Sequence, residues 1–323
     1  MAVLVTGGAG FVGSHLVDRL VAEGEHVIVC DDLSTGRLSN LALPLGAGKV
    51  TFVYLDIAAP LATIEEALAG ATNEPITQIY HLASPASPEA YGAHPWETLA
   101  VNGVGTMSLI DLALTRGASM LFCSTSETYG DPLVHPQPES YFGNVNPVGP
   151  RACYDEGKRF GEAAMSVAIR ERGLDGRIVR IFNCYGPRMD IGDGRLIPSF
   201  LGAVRGGEPL PIHGNGRQTR SMTYVDDLVD GLRVVMKTRF SQVQPVNLGS
   251  EEENSVSEIA DALEQMLGTP LERVELPPRP EDPQRRRPDI TLARSLGWTP
   301  RTTLADGLRR TYDWFTNDAL LYV

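Results

Sequence analysis

Gly7, Gly10 and Gly13 stand between a short apolar run and an amphipathic stretch, and no other feature of the chain constrains its fold so tightly. Val3-Leu4-Val5 reads as a buried strand, while Val12, Leu16 and Leu20 recur at helical spacing and give the next segment one apolar face. Strand, tight turn and helix in that order make a phosphate cradle. Amides at a helix N-terminus reach an anion only where no side chain blocks the approach, and glycine also permits the turn. Asp31 ends the second expected strand, where a carboxylate accepts hydrogen bonds from adenosine ribose hydroxyls and repels the extra phosphate of NADP. The expected cofactor is therefore NAD. Asp32 is the neighbouring alternative, and Asp56, after the third strand, is placed to face the adenine.

Beyond the glycines, β-branched runs alternate with helical stretches, with strands expected over 3–6, 26–30, 51–54, 78–82, 120–123 and 177–181. This is the pattern of an α/β, Rossmann-type doubly wound parallel sheet. After residue 181 the order loosens: helices are expected over 197–205, 226–237, 256–267 and 304–315, and 246–248 returns as a last strand. The implied division is a cofactor domain of 1–182 with 221–250, and a smaller, discontinuous C-terminal substrate-binding lobe of 183–220 with 251–323. Between 131 and 150 lie Pro132, Pro136, Pro138, Pro147 and Pro150, which exclude a regular helix or interior strand. Tyr141 and Phe142 in the same stretch argue for an ordered loop across the mouth of a site rather than a linker. The segment 277–288 is a proline-basic connector.

Composition narrows the functional classes. A chain of 323 residues suits one large lobe and one small one, and a net charge of −12 opposes a broad nucleic-acid footprint. No stretch approaches the ~20 apolar residues of a membrane span, so no membrane partner is expected. Met1 to Val5 lacks a basic leader and reads as the first strand. Cys30, Cys123, Cys153 and Cys184 lie far apart and read as free thiols of a reducing cytoplasm. The six histidines form no metal-ligand motif, and no metal site is expected.

Tyr154 and Lys158 lie one turn apart on an expected helix running from 153 to about 172, following Ser124-Thr125-Ser126 by some thirty residues. A nearby ammonium favours the phenolate, which lets the tyrosine take a proton from a sugar hydroxyl as hydride leaves. T-G-G-A-G-F-V-G at 6–13, H-L-A-S at 81–84, S-T-S-E-T-Y-G at 124–130, Y-D-E-G-K at 154–158 and N-C-Y-G-P-R at 183–188 follow in order. On these stretches, spanning nearly the whole chain, it resembles the extended short-chain dehydrogenase/reductases.

That resemblance implies cofactor contacts from Gly7, Gly10, Phe11, Val12, Gly13, Asp31, Asp56, Leu82, Ala83 and Lys158, with Tyr154 as base and Thr125 touching the sugar. Within the family, 4,6-dehydratases carry an Asp-Glu pair where this chain has Ser126-Glu127, and simple 4-epimerases usually carry small or hydroxyl residues at the second position. The pattern resembles the UDP-glucuronic acid decarboxylase subgroup, with support from H-L-A-S-P-A-S-P at 81–88, G-D-P-L-V-H-P-Q at 130–137, N-P-V-G-P-R-A-C-Y-D-E-G-K-R at 146–159 and D-P-Q-R-R-R-P-D at 282–289. Cys184 and Met222-Thr223 depart from the usual pattern. The resemblance implies a UDP-sugar substrate, contacts from Ser126, Asn183, Arg195, Arg220 and Arg286, the last four at the diphosphate, and a catalytic part for Glu127. It also implies a homodimer built on helices near 96–114 and 154–172. The rival readings are a 4-epimerase, a 4,6-dehydratase, and a catalytically silent NAD-binding scaffold or redox sensor.

Overall fold

The computed structural model describes residues 1–279 and 283–318. Pro280 of the proline-basic connector, Asp282 at the head of the D-P-Q-R-R-R-P-D stretch and residues 319–323 lie outside the described residues. The strands are β1 Ala2–Thr6, β2 His26–Asp31, β3 Val50–Tyr54, β4 Ile76–His81, β5 Ser119–Thr125, β6 Gly176–Ile181 and β7 Pro245–Leu248. They form one seven-stranded sheet in the spatial order β7-β6-β5-β4-β1-β2-β3, each neighbouring pair parallel. Each expected strand is present, shifted or lengthened by a residue or two.

The chain winds outward from β1 to β3 and then crosses back to place β4 on the other side of β1. That reversal opens a crevice at the carboxyl ends of β1 and β4, the place where such sheets bind ligands. Helices α1 Phe11–Ala22, α2 Leu61–Ala71, α3 Thr106–Arg116 and α4 Ala152–Arg172 accompany the sheet, followed by α5 Leu196–Gly206, α6 Val225–Lys237, α7 Val256–Leu267 and α8 Leu304–Asp313. The helix expected over 304–315 ends at Asp313 and passes into a π turn, Trp314–Asp318.

Period-two alternation divides the core between the sheet's two faces. Val3, Val5, Val27 and Val29 join a cluster that runs on into Ile197, Phe200, Leu210, Ile259 and Leu308 of the smaller lobe. Ala2, Leu4, Ile28, Met120 and Phe122 face the opposite way, against Leu109, Ile110 and Met165 of α3 and α4. Strands buried on both faces need apolar residues at successive positions, which is why β1 and β2 carry polar residues only at their ends. The smaller lobe adds short strand pairs: Leu210–His213 beside Arg273–Leu276, and Thr219–Ser221 beside Glu253–Ser255. Strands of three or four residues leave no readable periodicity.

One expectation is corrected. Pro95–Arg116 is a continuous helical run of 22 residues whose most apolar 18-residue window has a mean hydropathy of 1.3, long and apolar enough by length and composition to cross a membrane. It escapes a search for uninterrupted apolar sequence because Asn102, Thr106 and Ser108 punctuate it. Half of its most apolar window is buried inside the protein, with Leu109, Leu112 and Ala113 wholly inaccessible.

Candidate active site

Every cofactor, catalytic and substrate residue singled out above lines one cleft of about 1120 Å³ running from the glycine turn to Arg286. Its floor follows from the register of β1 with β4, which sets Thr6 opposite His81 and so Gly7 against Leu82 and Ala83. A Cβ on Gly7 would lie 2.6 Å from the Ala83 nitrogen, and the residue holds φ +71°, so both backbone and space demand glycine. A Cβ on Gly13 would lie 2.1 Å from the Gly7 carbonyl oxygen. The turn thus packs directly on the first turn of α1, whose Gly10 N-cap provides no side-chain cap. Its leading amides are left for an anion.

Asp31 is 6% exposed; its two oxygens accept the amides of Ala9 and Leu33, each at 2.9 Å. Burial pushes its carboxyl above the usual range, and these two amides pull it back in part. Asp32 instead accepts the Ser34 amide and hydroxyl and makes a local turn. Of the two acids, Asp31 is therefore the one built into the floor of the glycine turn. Asp56, exposed at the rim, accepts the Ala58 amide. The histidine of H-L-A-S is structural: buried His81 hydrogen-bonds Thr6 at 2.8 Å and Thr106 at 3.1 Å, and burial with the nearby Lys158 charge lowers it to about 3.

Helix α4 carries Tyr154 and Lys158 on its buried face. Lys158 donates from Nζ to the Cys123 carbonyl at 2.8 Å and lies 5.9 Å from the Tyr154 ring centroid. Burial lowers Lys158 to about 8. The Tyr154 phenol, hydrogen-bonded to Thr125, is pushed above its ordinary value by burial, against the phenolate expected from the ammonium alone. At that separation the ammonium does not offset the loss of solvent. Tyr154 stacks on Tyr91, with centroids 5.1 Å apart and planes 8° from parallel.

Glu127 follows in the short turn Ser126–Tyr129 that ends β5. Arg151 and Arg286 both grip its carboxylate, Arg286 with both terminal nitrogens, the Nη2 contact measuring 2.9 Å. Burial raises this carboxyl, but the charges of Arg286 and Arg151 outweigh it, and Glu127 lies below the ordinary carboxylate range. Arg286, expected at the diphosphate, is thus engaged with Glu127. Arg195 pairs with Asp193, and Arg220 donates to the Thr219 and Pro283 carbonyls at 2.8 and 2.9 Å. Asn183 keeps its side-chain oxygen buried without a partner among the described residues.

Tyr91, Arg151 and Asp155 were not anticipated as site residues. Tyr91 and Asp155 each bury an oxygen that has no partner among the described residues. Burial, and then Glu127, raise Asp155 to about 7. Their signal in the sequence was proximity to H-L-A-S-P-A-S-P and to Tyr154, a signal that carries no chemistry by itself.

A cleft with a glycine turn, a buried acid beneath it and a tyrosine-lysine pair matches what comparison finds. Residues 3–249 match the NAD dependent epimerase/dehydratase family. The chain belongs to this family. It is 45% identical over 317 residues to UDP-glucuronic acid decarboxylase 1 of Xenopus tropicalis, covering 98% of this chain and 72% of that protein. Against UDP-glucuronic acid decarboxylase 5 of Arabidopsis thaliana the identity is 45%, covering 95% and 87%. Among solved structures, UDP-glucose 4-epimerase of Thermotoga maritima with UDP-glucose superposes with a TM-score of 0.89 at 30% identity, covering 99% and 100%. UDP-glucuronic acid 4-epimerase of Bacillus cereus, in complex with UDP-glucuronic acid and NAD, gives 0.83 at 26%, covering 98% and 99%. Family membership rests on the match over residues 3–249; the decarboxylase likeness rests on identity well above that to either epimerase.

Proposed function

We propose that this chain decarboxylates UDP-glucuronate to UDP-xylose. The observation that carries the reading is the ionised Glu127 gripped by Arg151 and Arg286 beside Thr125 and Tyr154. A 4,6-dehydratase needs a proton donor beside it for the departing C6 hydroxyl, and Ser126 stands where those enzymes carry the aspartic acid of the pair. A uronate needs cations at the same place, because its C6 carboxylate must leave water without losing all of its charge partners.

The glycine turn, Phe11, Val12 and Asp31 fit a dinucleotide, with Asp56, Leu82 and Ala83 along its course and Lys158 at the nicotinamide ribose. NAD, when bound, supplies a hydride acceptor at C4 and later the donor that restores it. Tyr154 takes the proton of the C4 hydroxyl while Thr125 holds that oxygen, and the Lys158 ammonium lowers the cost of the phenolate. The new C4 ketone is β to the C6 carboxylate. The C5–C6 bond then breaks, its electron pair moves into the C4 oxygen as an enolate, and carbon dioxide leaves. Glu127 positions the sugar or a water so that C5 regains a proton, and Tyr154 returns its proton as C4 is reduced. Ser126 and Asn183 orient the sugar and its phosphate link, while Arg195 and Arg220 face the diphosphate.

We read the exposed apolar residues on Pro95–Arg116 and α4 as a homodimer face. Trp96 is 79% exposed, and Val104, Met107, Phe160 and Val167 are each about half exposed, too many apolar groups in one region for a solvated surface. Four free cysteines suit a reducing cytoplasm.

Incubation of the protein with NAD and UDP-glucuronate tests the activity: carbon dioxide and UDP-xylose are expected. A UDP-sugar that keeps its carboxylate as the 4-epimer establishes an epimerase instead, and no turnover despite NAD binding establishes a silent scaffold. Tyr154→Phe should abolish carbon dioxide release by at least ~10²-fold while still binding NAD.

A further inference from the structure

The proline-rich stretch between Asp131 and Phe142 has no part in the chemistry above, yet its bonds converge on the arginine segment. Gln137 is fully buried, and every polar group it owns is engaged. Its backbone N–H donates to the Arg287 carbonyl and its carbonyl accepts the Asp289 amide, both at 2.9 Å. Its side-chain oxygen accepts the Arg287 amide at 2.9 Å, and its side-chain nitrogen donates to the Val134 carbonyl at 2.8 Å. Arg286 is thus flanked by a residue held twice from the proline stretch.

A second tie shares the same reference point. Asn247 of β7, also fully buried, donates from Nδ2 to the carbonyls of Gln137 at 3.0 Å and Asp289 at 3.1 Å. Its Oδ1 accepts the Tyr129 hydroxyl at 2.8 Å, and Tyr129 closes the turn that carries Glu127. One side chain therefore sets the Glu127 turn and the Arg286 segment relative to a single strand. Two residues earlier in the stretch, His135 lies 3.0 Å from Glu253, on the strand that pairs with the one bearing Arg220.

We propose that residues 131–142 are a strap that sets where Arg286 and Arg220 stand in the substrate cleft, with Gln137 as its positioning residue. The proposal rests on the function given above and adds to it. A bidentate ion pair tolerates little displacement, and an error of about 1 Å at a reacting centre costs on the order of 10²-fold in rate. The strap therefore acts through Arg286 and not by touching substrate.

The test is a double-mutant cycle on purified enzyme with NAD and UDP-glucuronate. Gln137→Met keeps the volume but leaves the Arg287 amide without its side-chain acceptor; kcat/KM for UDP-glucuronate should fall about tenfold or more while the Kd for NAD moves less than about twofold. In an Arg286→Lys background, where no fork exists to position, the same change should cost less than about twofold. Equal losses in both backgrounds, or NAD affinity falling in step, overturn the proposal. Should Gln137→Met not fold, His135→Ala at the other anchor is expected to raise KM for UDP-glucuronate without changing NAD affinity, and an unchanged KM overturns it. A wild-type enzyme that only epimerises UDP-glucuronate overturns the decarboxylase reading instead, and leaves the cycle to be run on that product.

Discussion

Removing the Glu127 carboxylate should cost stability and activity together, in amounts the structure constrains. Its side chain is 15% exposed, against 6% for Arg286 and 16% for Arg151, so Glu127→Ala leaves two largely buried guanidinium groups facing each other. Breaking one partner out of a buried ion pair costs ~3–5 kcal/mol. Losing Glu127 also relieves its own burial, so the lower end, about 3 kcal/mol, is the better figure. At the ~2 °C per kcal/mol suited to a large domain, the ligand-free variant should melt about 6 °C below the wild type near neutral pH. Arg286→Met in the same chain removes the stranded charge and should recover part of the loss.

The pH dependence follows from the direction of the Glu127 shift. A carboxyl whose folded value is depressed stabilises above its unfolded value, ~4.3, and loses that stabilisation as pH falls through the folded one. The difference in melting temperature between wild type and Glu127→Ala should thus be flat above about pH 5 and shrink on acidification below it. Turnover should fall by ~10²–10⁴-fold. A variant that melts with the wild type would show that the carboxylate does not hold the two cations, and undiminished carbon dioxide release would remove it from the chemistry.

The remaining predictions concern the cofactor floor, the buried lysine and the exposed helices. Asp31→Ala strands the amides of Ala9 and Leu33, which lowers stability, and removes the acceptor for the ribose hydroxyls; at ~1.5–3 kcal/mol for a hydrogen bond to a charged group, the Kd for NAD should rise at least about tenfold and NAD lose its advantage over NADP. An unchanged preference in titration calorimetry would remove Asp31 from the ribose. Lys158, lowered by burial to about 8, binds its proton more weakly folded than unfolded. The unfolded chain thus holds more protons between about 8 and the model-peptide value of ~10.4, and this group's share of stability rises across that window. Denaturant titrations should show that rise in wild type minus Lys158→Met, and a difference independent of pH refutes the burial argument. Val104→Glu with Met107→Glu places charge on two half-exposed apolar positions; light scattering should report a monomer, and an intact dimer would locate the interface elsewhere.

How much of this was legible beforehand depended on the range of the interaction. The seven sheet strands were readable because burial on both faces demands apolar, β-branched runs, and the glycine turn because steric exclusion acts within a few residues. Pro95–Arg116 was misjudged because Asn102, Thr106 and Ser108 interrupt its apolar residues along the chain. The short strands of the smaller lobe went unseen, since three or four residues cannot show a period. Phenolate formation at Tyr154 was inferred from the Lys158 spacing, whereas burial, which no spacing reports, dominates the phenol.

The linear order of residues determined the sheet, the cofactor cradle and the shared face of Tyr154 and Lys158, all of which arise from contacts between chain neighbours or from repeating patterns. Only the tertiary structure decided that Arg286, 159 residues from Glu127, would fork onto it, and that Gln137, 150 residues from Arg287, would hold that segment in place. Charge pairing and hydrogen bonding depend on distance in space, and a folded core brings together groups whose separation along the chain carries no trace of the meeting.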